Sequence, residues 1–564
     1  MFRSSIIAIL FVWGGCLACR GLAEETDGQA HLDKALDLKL TAESVSQLGE
    51  VIQECKKAIE GGLNDDNKAF AQQLLVSTLI QRGTAYTEAL FRGTPEQIQT
   101  PRQFRQLRAL ALADLREAVE GDPNQPQAWF TIGRLEAIPG GDQKEALAAF
   151  DKALELEKHD TLLRAKVLTA RATLLDDPEK QMADLNEAAK LAPDEVEVLR
   201  ARGLLLAEQQ RFDEARADLE KSVELEPANV LNRIALATLL TQQQKYDEAL
   251  PHFDKAIELE PSAAQLYNQR ARVQLLRGKA ADALSDLDRS LQIASDQPMT
   301  RLLRANALHQ LGQRDQAMAD VEQVLKEHDD FGPALRMRGI LLADSGKLKE
   351  AVDALRDAAN AAPEDAELRL QLAMTELASK DPEAAIKDFT AVVESDAENW
   401  MALQGRADAY LALGKHREAL ADYEAALKLQ PENSALLNNL AWTLATSTFD
   451  DLRDGRRAIE LATKACELTS YKAAHILSTL AAAYAETGDF EKAKEWSAKA
   501  VDAGDERQKL QLTKELKSYE EGKPWRELIA EPLAPPRQDA TDNSQAGQSQ
   551  PAETVRAING DGKP

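Results

Sequence analysis

At 564 residues the chain is longer than the roughly 100–200 residues that one compact core fills, so several domains or an open-ended array are expected. Aromatic residues contribute only 5% while the AVILMFWYC set reaches 44%, which argues against a strand-rich sandwich and for alanine- and leucine-rich helices. The formal net charge of −26 repels phosphate backbones and anionic lipid, which sets nucleic acid and membrane surfaces aside as partners.

Residues 1–23, MFRSSIIAILFVWGGCLACRGLA, carry Arg3, an apolar run from Ile6 to Trp13 and small residues before two glutamates. This is the pattern of a signal peptide cleaved after Ala23. The run is too short to span a bilayer, so the mature protein is expected to be exported, periplasmic or secreted, with no membrane insertion after signal removal. Cys16 and Cys19 have the CxxC spacing of a redox or zinc pair, but they lie in the leader and are expected to leave with it. Cys55 and Cys466 sit on helical patterns and are expected to be buried apolar positions.

Residues 24–124 form an N-terminal helical segment. Helical stretches are expected around 50–59 and 69–90, broken by Gly61-Gly62 and by a loop holding Pro95 and Pro101; the second stretch pairs with 104–119 as a divergent first repeat. Residues 125–505 are an array. Ala215, Ala249, Ala283, Ala317, Ala351, Ala385 and Ala419 stand 34 apart; Ala111, Ala146 and Gln181 extend the register upstream, and Ala458 and Ala493 downstream, giving about twelve units.

Each unit reads as two helices. Small residues recur twelve before the marker alanine (Gly203, Ala237, Ala271, Ala305, Gly339, Ala373, Ala407), and larger ones four after it include Phe150, Phe253, Phe389 and Tyr423. Such complementarity lets two helix axes approach while the large side chain fills the gap. Glycines five before the marker (Gly141, Gly278, Gly312, Gly346, Gly414, Gly488) end the first helix, and prolines twelve after it (Pro123, Pro193, Pro227, Pro261, Pro363, Pro431) end the second.

Between Leu444 and Ala458 the register slips by five residues, placing an insertion inside one unit's turn, with Asp454 expected to cap the following helix. Its Asp450, Asp451 and Asp454 faintly resemble a calcium loop, but leucines stand at two positions that need oxygen ligands. Residues 506–530 are expected to form a capping helix with Trp525 as a plug. Residues 531–564, rich in Pro, Gln and Ala, are expected to be disordered.

The small residue, marker alanine, aromatic, small residue and proline resemble the tetratricopeptide repeat (TPR) family, most closely in Trp129–Phe150, Val230–Pro261 and Met401–Pro431. The resemblance implies an all-α fold, a right-handed α-solenoid or superhelix of helix-turn-helix repeats with a concave groove lined by the first helices. The family's first aromatic survives as tryptophan only at Trp129.

Two side-chain patterns run along the array. Arg202, Arg270, Arg304 and Arg406, thirteen before the marker, recur with Asp218, Asp286, Asp320 and Asp422, three after it; an ion pair between the two helices of each unit is expected. If the family geometry holds, groove side chains include Arg200, Asn268, Arg272, Asn306 and Arg336, which suit a peptide or protein segment. The lysines of the family's carboxylate-clamping ligand mode are absent.

No catalytic, cofactor or metal signature is legible. The seven histidines are scattered, and GxSxG, GxGxxG and GxxxxGK[ST] do not occur. The expected function is a non-enzymatic scaffold that binds protein or peptide segments outside the cytoplasm of a bacterium. The alternatives are an accessory or regulatory subunit of an envelope enzyme, such as a glycosyltransferase or protease, or a self-associating structural protein.

Overall fold

The structure is a computed structural model that describes residues 27–92 and 101–526. The signal peptide, the Cys16–Cys19 spacing, the tail 531–564 and residues 527–530 of the capping segment lie outside the described residues, as does most of the Pro95 loop. Among the described residues there are 27 α-helices and no strand. They fall into two compact units, divided between Leu311 and Gly312. Each unit is an α-solenoid in which every helix packs on its neighbours in the chain.

In the first unit the array starts earlier than the repeat register indicates. The pair Asp27–Thr41 and Val45–Glu60 precedes the divergent repeat Asp65–Arg92 and Pro101–Gly121. This extra pair has no marker alanine in register, yet Leu32, Ala35, Val51, Cys55 and Ala58 are buried between its helices and the next. Burial pushes the thiols of Cys55 and Cys466 up to about 11, so neither supplies a ready thiolate.

The three recurrent places of the repeat are where the helices touch. The marker alanines are 0% exposed, and so are Phe150, Phe389 and Tyr423. A Cβ on Gly203 would sit 2.7 Å from Leu219 Cγ, and one on Gly339 would sit 2.5 Å from Leu355 Cγ, so these first helices approach their partners too closely for a methyl group. Gly405 meets the preceding repeat in the same way, with Phe389 Cζ 2.3 Å from the Cβ position. Gly405→Ala would gain about 1 kcal/mol of helix propensity, while overpacking against a buried ring costs about 1–3 kcal/mol. The steric term wins, so a net loss of about 1 kcal/mol is expected in urea unfolding; a stabilised variant would show that the two helices have room to spread.

The turn inside each repeat has one demanding residue, five before the marker. It is left-handed at Gly278 (φ 76) and Gly414 (φ 70). In the repeats lacking glycine, Gln210 (φ 60), Gln244 (φ 59) and Lys380 (φ 68) take the same conformation at a cost of about 1 kcal/mol each. Gly141 departs from the expected pattern: its neighbour Gly140 carries the positive φ of 87, in a turn, 138–142, that is longer than the three-residue turns at 209–211 and 243–245.

The missing tryptophans are replaced in function. Trp129 Nε1 donates to the Pro123 carbonyl at 3.0 Å. In later repeats Arg233 donates to the Pro227 carbonyl at 2.7 Å, Tyr267 to that of Pro261 at 3.1 Å and Arg301 to that of Ser295 at 3.3 Å. Each satisfies a carbonyl left over where the preceding helix ends, so a long donor suffices and an indole is not required.

Three of the four expected arginine–aspartate pairs lie within one unit and all three form, each bidentate. Arg202 Nε meets Asp218 at 2.7 Å, Arg270 Nη2 meets Asp286 at 2.6 Å, and Arg406 Nε meets Asp422 at 2.7 Å. Arg304 and Asp320 stand in different units. The divergent first repeat has its own version, Arg82 with Asp114, at 2.7 Å on both prongs. The sequence pattern conveyed only half of the arrangement. Arg270 also reaches Asp254 (2.7 Å), Arg304 reaches Asp288 (2.9 Å) and Arg338 reaches Glu322 (3.0 Å), each on the preceding repeat. One guanidinium therefore clasps two consecutive repeats.

Candidate functional sites

A groove of ≈ 990 Å³ runs along the first unit. Its walls come mainly from consecutive first helices: Asp65–Arg92, Pro126–Ala137, Thr161–Ala172 and Val196–Glu208. Thr87, Thr131 and Thr169 stand in it, one on each of three consecutive first helices. Each hydroxyl donates at 2.8 Å to the carbonyl four residues earlier, leaving its methyl group as the surface. Apolar patches from Phe91, Phe130, Leu204 and Leu231 alternate with Arg134, Lys166 and Arg200 and with Glu88, Glu197 and Glu208. The Arg134 guanidinium lies 4.4 Å from the Phe91 ring centroid and 5.7 Å from that of Phe130, so its charge is held over the aromatic floor. Open length, alternating chemistry and both signs of charge suit an extended chain better than a small molecule.

Arg200 lines this groove, but Nη1 donates to Asn232 Oδ1 of the next repeat at 3.0 Å. Asn268 is buried, its amide donating to Thr300 at 2.7 Å and Gln297 at 3.0 Å, again on the next first helix. Arg336 is committed forward to Glu367 at 2.8 Å. The row fifteen before the marker is thus largely spent on joining repeats, because these side chains lean toward the N-terminal turn of the following helix. Arg272 is exposed, and Asn306 is half-buried, accepting from Gln310 at 3.2 Å. Arg336 belongs to the second unit and the other four residues to the first. The three threonines and the phenylalanines of the groove were missed; Thr87, Thr131 and Thr169 stand 44 and 38 residues apart, off the repeat period, so the register carried no signal for them.

The second unit carries a different site. A cavity of ≈ 400 Å³ is lined by the C-terminal helix Glu506–Glu520 and by the first helices Trp400–Ala412, Ser434–Thr446 and Ala474–Glu486. The C-terminal helix is anchored by Leu512 and Tyr519, both buried, and Trp525 packs on the same core. The cavity is lined by Asp408, Asn438, Asn439, Trp442, Ser478, Thr479, Gln508, Gln511 and Glu515, with His475 at its exposed side. Asp408 accepts from the Tyr423 hydroxyl and, at 3.4 Å, from the Asn439 amide. Glu515 accepts from the Ser478 hydroxyl and, at 3.2 Å, from Gln511. Burial raises both carboxyls above their ordinary range, against the hydrogen bonds that lower them.

The inserted loop lies apart from these walls. Asp454 caps the next helix, Gly455–Leu468, accepting from the Arg457 amide at 3.0 Å, as its position in the sequence indicates. Arg453 ties the loop to the following repeat, donating to Glu486 at 2.8 Å and to the Ser447 carbonyl at 2.9 Å. Asp450 and Asp451 meet Arg453 and Arg417. Among the described residues no group of three or more His, Cys, Asp or Glu is placed to hold a metal ion, and no helix is long and apolar enough to cross a membrane.

Tetratricopeptide repeat family models match residues 196–229, four segments between 234 and 447, and 474–503. No curated protein matches the chain. Among solved structures, a tetratricopeptide repeat protein from Parabacteroides merdae is 21% identical, with 47% of this chain and 98% of that one covered at a TM-score of 0.34. A chain of the APC/C hetero-tetramer Cut9–Hcn1 is 14% identical, covering 88% of this chain and 96% of that one at 0.38. The C-terminal part of a repeat-containing protein from Cytophaga hutchinsonii is 18% identical, covering 42% and 94% at 0.36. Proteins built on these repeats generally serve as non-catalytic scaffolds for protein–protein interaction. The matched segments follow the helix pairs from Val196 to Ala503 with one interruption, at the inserted loop and the helix after it, and on that ground the repeats of residues 196–503 are tetratricopeptide repeats.

Proposed function

We propose that the protein is an exported bacterial scaffold that holds an extended segment of a partner protein in the groove of its first unit. The groove's alternation of apolar patches with Arg134, Lys166, Arg200 and the three glutamates carries this reading. An extended peptide presents side chains of alternating character and backbone amides along its length, which such a surface meets repeat by repeat. Export rests on the leader in residues 1–23, and the envelope is the compartment where the scaffold would act.

Leu204 and Leu231 are 41% and 59% exposed, so charging them leaves the repeat cores intact. A photo-crosslinker at Leu204 is expected to capture the partner in intact cells, whereas one at Lys180, on an exposed second-helix surface, is not. The double variant Leu204→Glu/Leu231→Glu is expected to weaken binding of the captured segment about tenfold or more, as loss of central apolar anchors does. Equal capture at both positions, or unchanged affinity in the double variant, would place the partner elsewhere. Mass spectrometry of the mature N-terminus tests export separately, with Glu24 expected as the first residue.

A further inference from the structure

Eight buried carboxylates among the described residues follow a rule. Asp114 is held by Arg82, Glu136 by Arg108 and Arg116, Asp184 by Arg171, Asp218 by Arg202, Asp286 by Arg270 and Asp422 by Arg406. Glu54 has Lys34 and Lys57, and Glu376 has Arg356. Each pair follows from the cost of leaving a charge in a poorly solvated place without an opposite one. Glu515 breaks the rule. It is 3% exposed, yet the groups that reach it are the Ser478 hydroxyl and the Gln511 amide, and among the described residues no lysine or arginine lines the cavity it faces. Asp408, half-buried on the wall contributed by helix Trp400–Ala412, has a phenol and an amide and, among the described residues, likewise no lysine or arginine.

Two carboxyl groups thus share one cavity whose remaining lining, among the described residues, is amide, hydroxyl, phenol and indole together with Leu411, Leu512 and, at the exposed side, the His475 imidazole. At ≈ 400 Å³ the space admits a charged head group together with a short alkyl stem. The Trp442 indole supplies the surface on which alkyl stems and cations pack, and the Asn438, Gln508 and Gln511 side chains supply carbonyl acceptors for additional N–H groups.

We propose that the cavity beneath the C-terminal helix binds an organic cation, a guanidinium or a primary ammonium, held between Asp408 and Glu515 with its stem along Trp442. The cation supplies the counter-charge that the rest of the chain provides internally. Burial that now holds both carboxyls toward their neutral forms is offset once the cation enters, so binding favours their ionised forms. The site is independent of the groove proposed above, since every lining residue belongs to the second unit. The cation has two sources of the same chemistry: a free amine, or an arginine or lysine side chain presented on a polypeptide.

Calorimetric titration of the full chain distinguishes them. Agmatine and putrescine represent the free source, and the capped tripeptide acetyl-Ala-Arg-Ala-amide represents the polypeptide source. The same tripeptide with citrulline in place of arginine keeps the shape and removes the charge. Saturable binding of at least one cationic probe is expected, with the citrulline peptide weaker than the arginine peptide by about tenfold or more. Asp408→Asn and Glu515→Gln are each expected to weaken the cation by a similar factor. Both substitutions keep hydrogen-bonding shape, and circular dichroism reports whether the C-terminal helix still docks; if Glu515→Gln undocks it, Asp408→Asn alone carries the test. Tighter binding of the diamine or of the peptide supports the proposal in either case and identifies the source. Absence of binding by every cationic probe overturns the proposal, as does equal affinity for the citrulline peptide or unchanged affinity in a folded variant.

Discussion

Replacing Arg270 with alanine is expected to destabilise the first unit by about 3 kcal/mol. The guanidinium is bidentate on Asp286, with Nε at 2.8 Å and Nη2 at 2.6 Å, and reaches Asp254 of the preceding repeat at 2.7 Å. Asp286 is 5% exposed, so the truncation strands a carboxylate that water reaches poorly, which is the expensive way to break an ion pair. The arginine side chain is 21% exposed, and that places the loss at the lower end of the roughly 3–5 kcal/mol seen for fully buried pairs. A solenoid does not unfold as one body. The loss is therefore expected first as faster amide exchange in helices Ala264–Leu276 and Ala280–Ile293, and then as an earlier urea transition. Adding Asp286→Ala should recover about half of the loss, because the stranded charge is gone. A single variant within 1 kcal/mol of the parent would show that the clasp is incidental to stability.

Glu376 makes stability depend on pH in the opposite sense to an ordinary paired carboxylate. Its side chain is 1% exposed and accepts from Arg356 at 2.9 Å through Oε1, while among the described residues no donor reaches Oε2. Burial first, and then the neighbouring Asp388 charge, push its carboxyl up to about 7 from 4.5, against the lowering by Arg356. A proton on Oε2 creates the missing donor toward Asp388, which Arg369 holds at 2.9 Å. Because the folded value is the higher one, the folded state binds the proton more tightly than the unfolded chain. Its contribution is complete below about pH 4.5 and is lost as pH rises through about 7. Over that window the parent should lose about 2–3 kcal/mol in the second unit through this group. Glu376→Gln carries a permanent donor at the same place and should flatten that part of the pH profile. Parallel profiles for parent and variant from pH 5 to pH 8 would show that Glu376 is ionised throughout.

The two residues also explain what a periodic sequence conveys and what it hides. Arg270 and Asp286 were legible as a pair because both recur in register, and a pattern repeated at fixed spacing on two packed helices places the same atoms together each time. Glu376 was not legible. In its repeat Leu372 replaces the arginine thirteen before the marker, and Asp388 is served instead by Arg369 and by Glu376, one helical turn away in either direction. The substitution could be seen in the sequence, but the side chains that filled the gap could not. Asn268 teaches the same lesson: its row suggested an open groove, whereas its amide reaches the next helix, because side-chain direction along a helix decides what a position touches.

Periodicity by itself determined the helix pairs, their turns and the positions of closest approach, since each depends on residues within one repeat length and on the fixed geometry of the α-helix. Tertiary structure decided the additional N-terminal pair, the second carboxylate in the Arg270 clasp, the threonine-lined groove and the cavity under the C-terminal helix. Asp408 and Glu515 come from opposite ends of three repeats, and only the stacking of those repeats, closed by a helix that does not follow the pattern, brings both to one cavity. A repeating sequence specifies neighbours, while a site assembled across several repeats depends on the accumulated rotation between them and on how the last one is capped.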